Sequence, residues 1–122
     1  MRIRKAQSVL LLAASIGLTA CGARDWRAAA IADAEEKVRS EIGDSAAQFS
    51  RLQVTGDSST GQTCGVVIAK TGAGLEQFAR FIVYIDGTAG PYLDKSMGTH
   101  PISQEKFDFA WENDCLKEGY KA

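Results

Sequence analysis

The sequence is poor in the side chains that bind transition metals. Its 122 residues include one histidine, His100, and three cysteines, Cys21, Cys64 and Cys115. A tetrahedral zinc site takes four Cys or His ligands. Because Cys21 is assigned below to another role, the remaining three residues leave one position unfilled. We therefore predict no metal site, and no motif indicates a cofactor.

An excess of basic residues and a long apolar run are both lacking. The chain has 14 Lys and Arg against 15 Asp and Glu, whereas nucleic-acid-binding domains carry clustered basic charge. Its longest apolar stretch, residues 8–18, is shorter than the roughly 20 apolar residues that cross a bilayer as a helix. These absences argue against nucleic acid as a partner and against a transmembrane helix.

The first 20 residues have the layout of an export signal. A basic start with three positive charges precedes the apolar residues 8–18, and small residues follow. The next positions, Leu18-Thr19-Ala20-Cys21, resemble the lipobox of bacterial lipoproteins. The resemblance implies that the Cys21 thiol receives a diacylglyceryl group, that cleavage follows Ala20, and that the new amino terminus is acylated. The alternative is a soluble secreted protein in which Cys21 is coincidental.

The lipobox divides the chain into three parts. Residues 1–20 are a cleaved signal peptide, residues 21–24 are the lipid attachment site and a short tether, and residues 25–122 form one small domain. Cleavage leaves 11 basic and 15 acidic residues, a net charge of -4. The resemblance, with Gly22 after the cysteine, implies a lipid-anchored protein on the periplasmic face of the outer membrane.

Aromatic and basic residues follow the lipidation site at once. Arg24, Trp26 and Arg27 are of the types that are favoured at the level of lipid headgroups. With so short a tether, we expect these three residues to contact the membrane interface. The alternative is that Trp26 packs on the sheet.

The two remaining cysteines predict one disulfide. An exported chain enters an oxidising compartment, and Cys64 and Cys115 have no other partner. The bond would close a loop of about 50 residues and stabilise the fold by roughly 4 kcal/mol.

Periodicity predicts an α+β domain. An apolar stripe of Ile31, Ala34, Val38 and Ile42 indicates an N-terminal helix over 25–42, in which Asp33–Lys37 and Glu35–Arg39 would pair.

Apolar, β-branched segments predict strands at 49–54, 63–70 and 77–85, and an edge strand at 92–93. Ser103 would cap a C-terminal helix whose stripe holds Phe107, Ala110, Trp111 and Cys115. We expect a three- to four-stranded antiparallel sheet with its helices on one face. The disulfide would connect the last helix to the sheet.

From Asp44 onward the chain resembles a set of small proteobacterial exported proteins. Their pattern appears as "GDSAAQF" (43–49), "CGVVIAK" (64–70), "GAG" (72–74) and "FARFI" (78–82), closed by Trp111 and Cys115. The chain departs from it at Ile68, Thr71 and Leu75. The resemblance implies fold and compartment, and no activity.

Residues that could carry chemistry each have a structural alternative. Cys64 and His100 could form a thiol nucleophile and its base, or Cys64 is oxidised and His100 lies in a surface loop. Ser58 and Ser59 in "GDSS" do not satisfy G-x-S-x-G, and we expect a hairpin loop there. The glycines in "KTGAGLE" (70–76) lack phosphate-loop spacing.

The residues therefore predict a non-catalytic module that binds an envelope protein. Phe109 lies off the apolar stripe of the last helix and, if exposed, is the candidate partner contact. The alternatives are a periplasmic inhibitor or small-ligand binder, for which a concave apolar pocket beside the sheet would be expected, and a small hydrolase using Cys64, Ser58 or Ser59.

Overall fold

The structure, a computed structural model, describes residues 25–70 and 74–121. The chain order is a helix, four strands and a helical C-terminal segment. The elements are α1 (Trp26–Ile42), β1 (Gln48–Thr55), β2 (Gln62–Lys70), β3 (Glu76–Tyr84), β4 (Tyr92–Leu93), a 3-10 turn (Asp94–Ser96), α2 (Gln104–Ala110) and a π-helical segment (Trp111–Leu116). The predictions for the signal peptide, Cys21 and Arg24, and for the "GAG" connection as far as Ala73, lie outside the described residues.

Helix α1 begins and ends where local chemistry predicts. The Asp25 carboxylate accepts a hydrogen bond from the Arg27 N–H at 3.0 Å and so caps the first turn. Gly43 ends the helix in the left-handed conformation, at φ 69°. Lys37 and Asp33 form the predicted ion pair at 3.0 Å.

The predicted Glu35–Arg39 pair is wrong because Arg39 has partners in the following loop and strand. Its Nε donates to the Ala47 carbonyl at 3.2 Å, and its guanidinium lies 4.9 Å from the centroid of the Phe49 ring. These contacts fix the end of α1 against the start of β1.

The four strands form one antiparallel sheet in the order β1-β2-β3-β4. The α+β class, the antiparallel sheet and the terminal helices are therefore as the sequence predicts. Strand β4 pairs only at Leu93 with Phe81 and at Tyr92 with Ile82, so most of β3 has no neighbour on that side among the described strands.

The expectation that both helices lie on one face of the sheet is wrong. Alternate residues of β3 enter two separate cores: Phe81 and Val83 pack with α1, whereas Ile82 packs with the C-terminal helical segment. Since successive residues of a strand point to opposite faces, α1 covers one face and α2 with the π-helical segment covers the other. We call these the α1 face and the C-terminal face.

A β-bulge keeps β1 in phase with the α1 face. Ser50 pairs with Val66, but the next paired residue is Gln53, opposite Cys64. The bulge includes Arg51, at φ 56°, and it turns Leu52 onto the same core as Phe49.

The C-terminal helix is not α-helical throughout. The N–H of Lys117 donates to the Glu112 carbonyl five residues earlier, at 3.0 Å, in the π pattern. The wider turn leaves the Asp114 carbonyl free to accept from the Thr55 hydroxyl at 3.1 Å. The π-helical segment is therefore tied to β1 as well as to β2.

Candidate functional site

The predicted disulfide is formed at the centre of the C-terminal face. The sulfurs of Cys64 and Cys115 are bonded at 2.06 Å, and both residues are fully buried. Cys64 is the third residue of β2 and lies beneath the C-terminal helical segment. Cys115 follows Phe107 and Trp111 on the apolar stripe of that segment. A sulfur in a disulfide carries no thiolate, so Cys64 is not a nucleophile in this structure.

The partner of His100 is not Cys64 but the Glu41 carboxylate of α1. Its backbone N–H donates to Glu41 Oε2 at 2.6 Å, and its ring Nδ1 lies 3.1 Å from Oε1. The Thr99 hydroxyl donates to the same carboxylate. Burial raises the pKa of Glu41, but the hydrogen bonds from His100 and Thr99 together outweigh it and lower that pKa below its usual value.

The serines of "GDSS" lie in the β1–β2 hairpin loop, as expected. Asp57 Oδ1 accepts hydrogen bonds from the backbone N–H and the hydroxyl of both Ser59 and Thr60. These bonds lower the pKa of Asp57 to about 2. Among the described residues no hydrogen bond joins His100 to Ser58, Ser59 or Cys64, so the structure does not assemble the predicted hydrolase residues.

The N-terminal turn of α1 presents an aromatic residue with a cation on it. Trp26 is half-buried and belongs to neither core, and the Arg27 guanidinium lies 4.4 Å from the centroid of its ring. The predicted neighbour Arg24 lies outside the described residues.

Phe109 is exposed, which is the condition set for it as a partner contact. Its exposed fraction is 71%, whereas Phe107, two residues earlier, is fully buried against the sheet. The two side chains point to nearly opposite sides of α2 because two residues turn a helix by about 200°. Phe109 therefore lies on the side of α2 that faces away from the sheet.

A second apolar surface was not predicted from the sequence. The C-terminal helical segment covers only part of its sheet face, and it leaves Val66, Ile68 and Phe78 outside both cores. Phe78 is 57% exposed and Leu75, just before β3, is 69% exposed. We call the three strand residues Val66, Ile68 and Phe78 the open patch.

Arg80 marks the boundary between the covered and the open part of this face. Its guanidinium lies 5.0 Å from the Phe107 ring centroid, and its Nε contacts Asp94 at 2.8 Å. A second nitrogen contacts Asp108 at 3.0 Å. Burial raises the pKa of Asp94, but hydrogen bonds from Arg80 and Gln104, with the Arg80 charge, lower it overall.

Two tyrosines of the C-terminal face are held neutral. Burial and the adjacent Asp114 carboxylate, whose oxygen accepts from the Tyr84 hydroxyl at 2.5 Å, raise the pKa of Tyr84 far above its usual value. Burial likewise raises the pKa of Tyr120, and the nearby Arg51 charge opposes that rise. Their hydroxyl groups act as hydrogen-bond donors that tie helix and tail to the sheet.

No large apolar cavity lies beside the sheet in the described part of the chain. A cavity of about 300 Å³ lies between Lys37, Ser40 and Glu41 of α1 and the β3–β4 connection, at the lower limit of ordinary ligand sites. Another, of about 670 Å³, lies on the outer side of α1 and is lined mainly by polar residues. A third, of about 340 Å³, lies at the end of β2 and is lined mainly by polar and charged residues, among them Asp44, Lys70 and Glu76. None of the three is the concave apolar pocket that a small-ligand binder was expected to have.

Two further kinds of site, a metal centre and a membrane span, concern residues 25–70 and 74–121. Within these ranges no three His, Cys, Asp or Glu residues gather closely enough to hold a metal ion. None of the helices described there has both the length and the apolar character needed to cross a membrane. Comparison with protein-family models, curated proteins and solved structures finds no match to the chain.

Proposed function

We propose that this protein is a lipid-anchored module of the bacterial envelope that acts by binding another envelope protein. Lipids on Cys21 would hold the domain at the periplasmic face of the outer membrane. Each buried methylene contributes about 0.8 kcal/mol, so two or three acyl chains give a stable anchor. The domain itself would be non-catalytic.

The observation that carries this proposal is the buried disulfide behind a lipobox. Disulfides persist in oxidising compartments, and the Cys64–Cys115 bond closes the core beneath the C-terminal helix. A domain whose core is built around such a bond suits a chain that leaves the reducing interior of the cell. The lipobox Leu18-Thr19-Ala20-Cys21 would mark the signal peptide for cleavage after export and provide the cysteine for lipid attachment.

Trp26 and Arg27 would lie at the headgroup level. The tether from Cys21 to the first described residue, Asp25, spans four residues and reaches at most about 14 Å. The first turn of α1 is thus confined to the neighbourhood of the bilayer. An indole ring with a guanidinium stacked on it, at 4.4 Å, combines the two chemistries that this zone favours.

Phe109 is the proposed contact to the partner on the C-terminal helix. Most large apolar side chains of this helix are buried, and Phe109 is 71% exposed. Aromatic side chains are common anchors of protein interfaces. Replacement by serine should leave the free energy of unfolding almost unchanged, because the side chain makes no core contact.

Mass spectrometry of the protein extracted from membranes of a bacterial host tests the anchor. We expect the processed chain to begin at Cys21 and to carry the mass of the diacylglyceryl and acyl groups. The Cys21→Ser variant should leave the membrane fraction. The Cys64→Ala/Cys115→Ala variant serves as the control because it keeps Cys21 and removes the two disulfide cysteines, which the proposal does not lipidate. An uncut leader, or an unmodified Cys21, would refute the proposal.

A further inference from the structure

We propose that the outer side of the C-terminal helical segment pairs, in antiparallel orientation, with the same surface of a second copy of this chain. The surface consists of four residues that we call the outer stripe: Glu105, Phe109, Asn113 and Lys117. This inference rests on the proposed function as an interaction module, since it names the partner that Phe109 contacts and the charges that select it.

The outer stripe runs straight along the segment. The large buried side chains of the segment are four residues apart, and they are Phe107, Trp111 and Cys115. Residues at this spacing therefore stay on one side, and the outer stripe, offset by two residues, lies on the opposite side. Two hydrogen bonds follow it: Asn113 Nδ2 donates to the Phe109 carbonyl at 2.8 Å, and Lys117 Nζ donates to Asn113 Oδ1 at 3.3 Å.

The two ends of the outer stripe carry opposite charges. Glu105 and Lys117 are both exposed, and in the described part of the chain neither takes part in an ion pair. They lie about 18 Å apart along the helix, so they cannot pair within one copy. A two-fold axis at the level of Trp111 places Glu105 of each copy opposite Lys117 of the other. Complementary charge thus fixes both the antiparallel orientation and the register.

The register that pairs these charges also covers Phe109. Each Phe109 lies two residues from the level of the axis, so the two rings are about 6 Å apart along the helices. Each ring also lies opposite Asn113 of the other copy. The side chain that is 71% exposed in one copy therefore becomes the aromatic centre of the interface, which is where such anchors concentrate.

The other charged side chains of the segment lie beside the outer stripe. Lys106, Asp108 and Asp114 contact side chains of β3 or β4 in their own copy. Glu112 and Glu118 are exposed and form no ion pair among the described residues.

The proposed register gives these two carboxylates opposite effects. Glu118 comes within one helical turn of the level of Lys106 of the second copy, which is favourable. The two Glu112 side chains lie on the same flank near the axis and repel each other. Glu112→Gln should therefore strengthen the association.

The lipid anchor is what would make so small a contact effective. A specific stable interface buries at least about 1,000 Å², and one pair of short helices is small for this requirement. Two copies held in one membrane meet at a high effective concentration without any further contact. We therefore expect association in the bilayer and much weaker association of the unanchored chain in dilute solution.

Carbodiimide crosslinking of the lipidated protein in phosphatidylethanolamine vesicles tests the inference. The reagent joins a carboxylate to an amine that it contacts, without a spacer. Isotope-labelled and unlabelled protein are mixed, and mass spectrometry identifies the linked peptides. We expect a Glu105–Lys117 link between a labelled and an unlabelled peptide, which only two different copies can form.

Charge-reversal variants identify the partner as the same surface. Association is measured in these vesicles by energy transfer between dyes attached at the C-terminus. Glu105→Lys alone and Lys117→Glu alone should each weaken it about tenfold, because like charges then face each other. The double variant, and an equal mixture of the two single variants, should recover it.

Controls separate this effect from charge and from folding. Glu36→Lys on α1 and Lys70→Glu on β2 make the same charge changes elsewhere and should leave the energy transfer unchanged. Because Glu105 also favours the first turn of α2, circular dichroism verifies the fold of each variant. Phe109→Ser, which keeps all charges, should weaken association about tenfold on its own.

Two outcomes would overturn the inference. These are the absence of the mixed crosslink, in vesicles and in concentrated solution, and a double variant that associates as weakly as the single variants. Both are distinct from failure of the proposed function, because the state of Cys21 is measured separately. A different envelope protein bound at Phe109 would leave an interaction module in place.

Discussion

The Arg80 guanidinium lies over the face of Trp111, 5.3 Å from its ring centroid, and joins β3 to the C-terminal helical segment. The same group contacts Asp94 at 2.8 Å, in the turn that follows β4. One side chain thus links the sheet, the turn and the helix on the C-terminal face. Because the Asp94 side chain is 9% exposed, its charge depends on Arg80 for compensation.

Arg80→Met should lower the free energy of unfolding by about 2 kcal/mol. The methionine keeps an apolar stem over the aromatic rings, but it leaves the buried Asp94 carboxylate without its cation. Urea unfolding of the variant measures the loss. Adding Asp94→Asn should restore most of the lost free energy of unfolding. The control is Lys37→Met, which breaks the exposed pair with Asp33 and should lower the free energy of unfolding by no more than about 0.5 kcal/mol. An equal loss in Arg80→Met with and without Asp94→Asn would contradict this account.

Removal of the disulfide should lower the free energy of unfolding by more than Arg80→Met does. Cys64 and Cys115 are 51 residues apart, and opening a loop of that length destabilises by about 4 kcal/mol in the chain-entropy estimate. We expect the Cys64→Ala/Cys115→Ala variant to unfold at a much lower urea concentration than the oxidised parent, and reduction of the parent to give a similar loss. An unchanged midpoint in both experiments would show that the bond does not stabilise the fold.

The sequence pattern indicates the elements of this fold better than their placement on the sheet. Both helices could be predicted from the caps at Asp25 and Ser103 and from the apolar stripe that ends at Cys115. Local chemistry decides where a helix begins and which side it buries. The placement on opposite faces does have a local signal in the sequence. The consecutive apolar residues Phe81, Ile82 and Val83 are typical of a strand that is covered on both sides.

The exposed residues were harder to predict for a physical reason. Phe78 and Ile68 have the composition of core residues, and their exposure depends on how far the C-terminal helix extends over the sheet. That extent is set by tertiary contacts, such as the disulfide and the Arg80 interactions, which no local pattern encodes. Phe109 could be singled out because its position relative to Phe107 follows from helical geometry alone.

The β-bulge offers a test of packing on the α1 face. A Cβ atom added at Gly65 would lie 2.8 Å from Leu52 Cδ2 and 3.1 Å from the Phe81 ring. Gly65→Ala should therefore destabilise by about 1 to 3 kcal/mol through overpacking. We expect the cost of Gly65→Ala to be smaller when it is measured in a Leu52→Ala background, where the nearest atom is gone. Additive losses in thermal or urea unfolding would mean that the two side chains do not compete for this space.

Glu41 provides a prediction for the acid range. Its folded-state pKa is lowered from 4.5 because hydrogen bonds from His100 and Thr99 outweigh the effect of burial. A carboxyl group with a depressed pKa contributes stability above its unfolded pKa, and that contribution is lost as pH falls through the folded value. The free energy of unfolding should therefore decline below about pH 4.5, and Glu41→Gln should be less stable at neutral pH with a shallower decline. Urea unfolding between neutral pH and about pH 3 measures both slopes, with Glu36→Gln, an exposed residue of the same helix, as the matched control. If the Glu41→Gln slope equals that of the parent, the contact between α1 and the His100 loop does not govern acid stability.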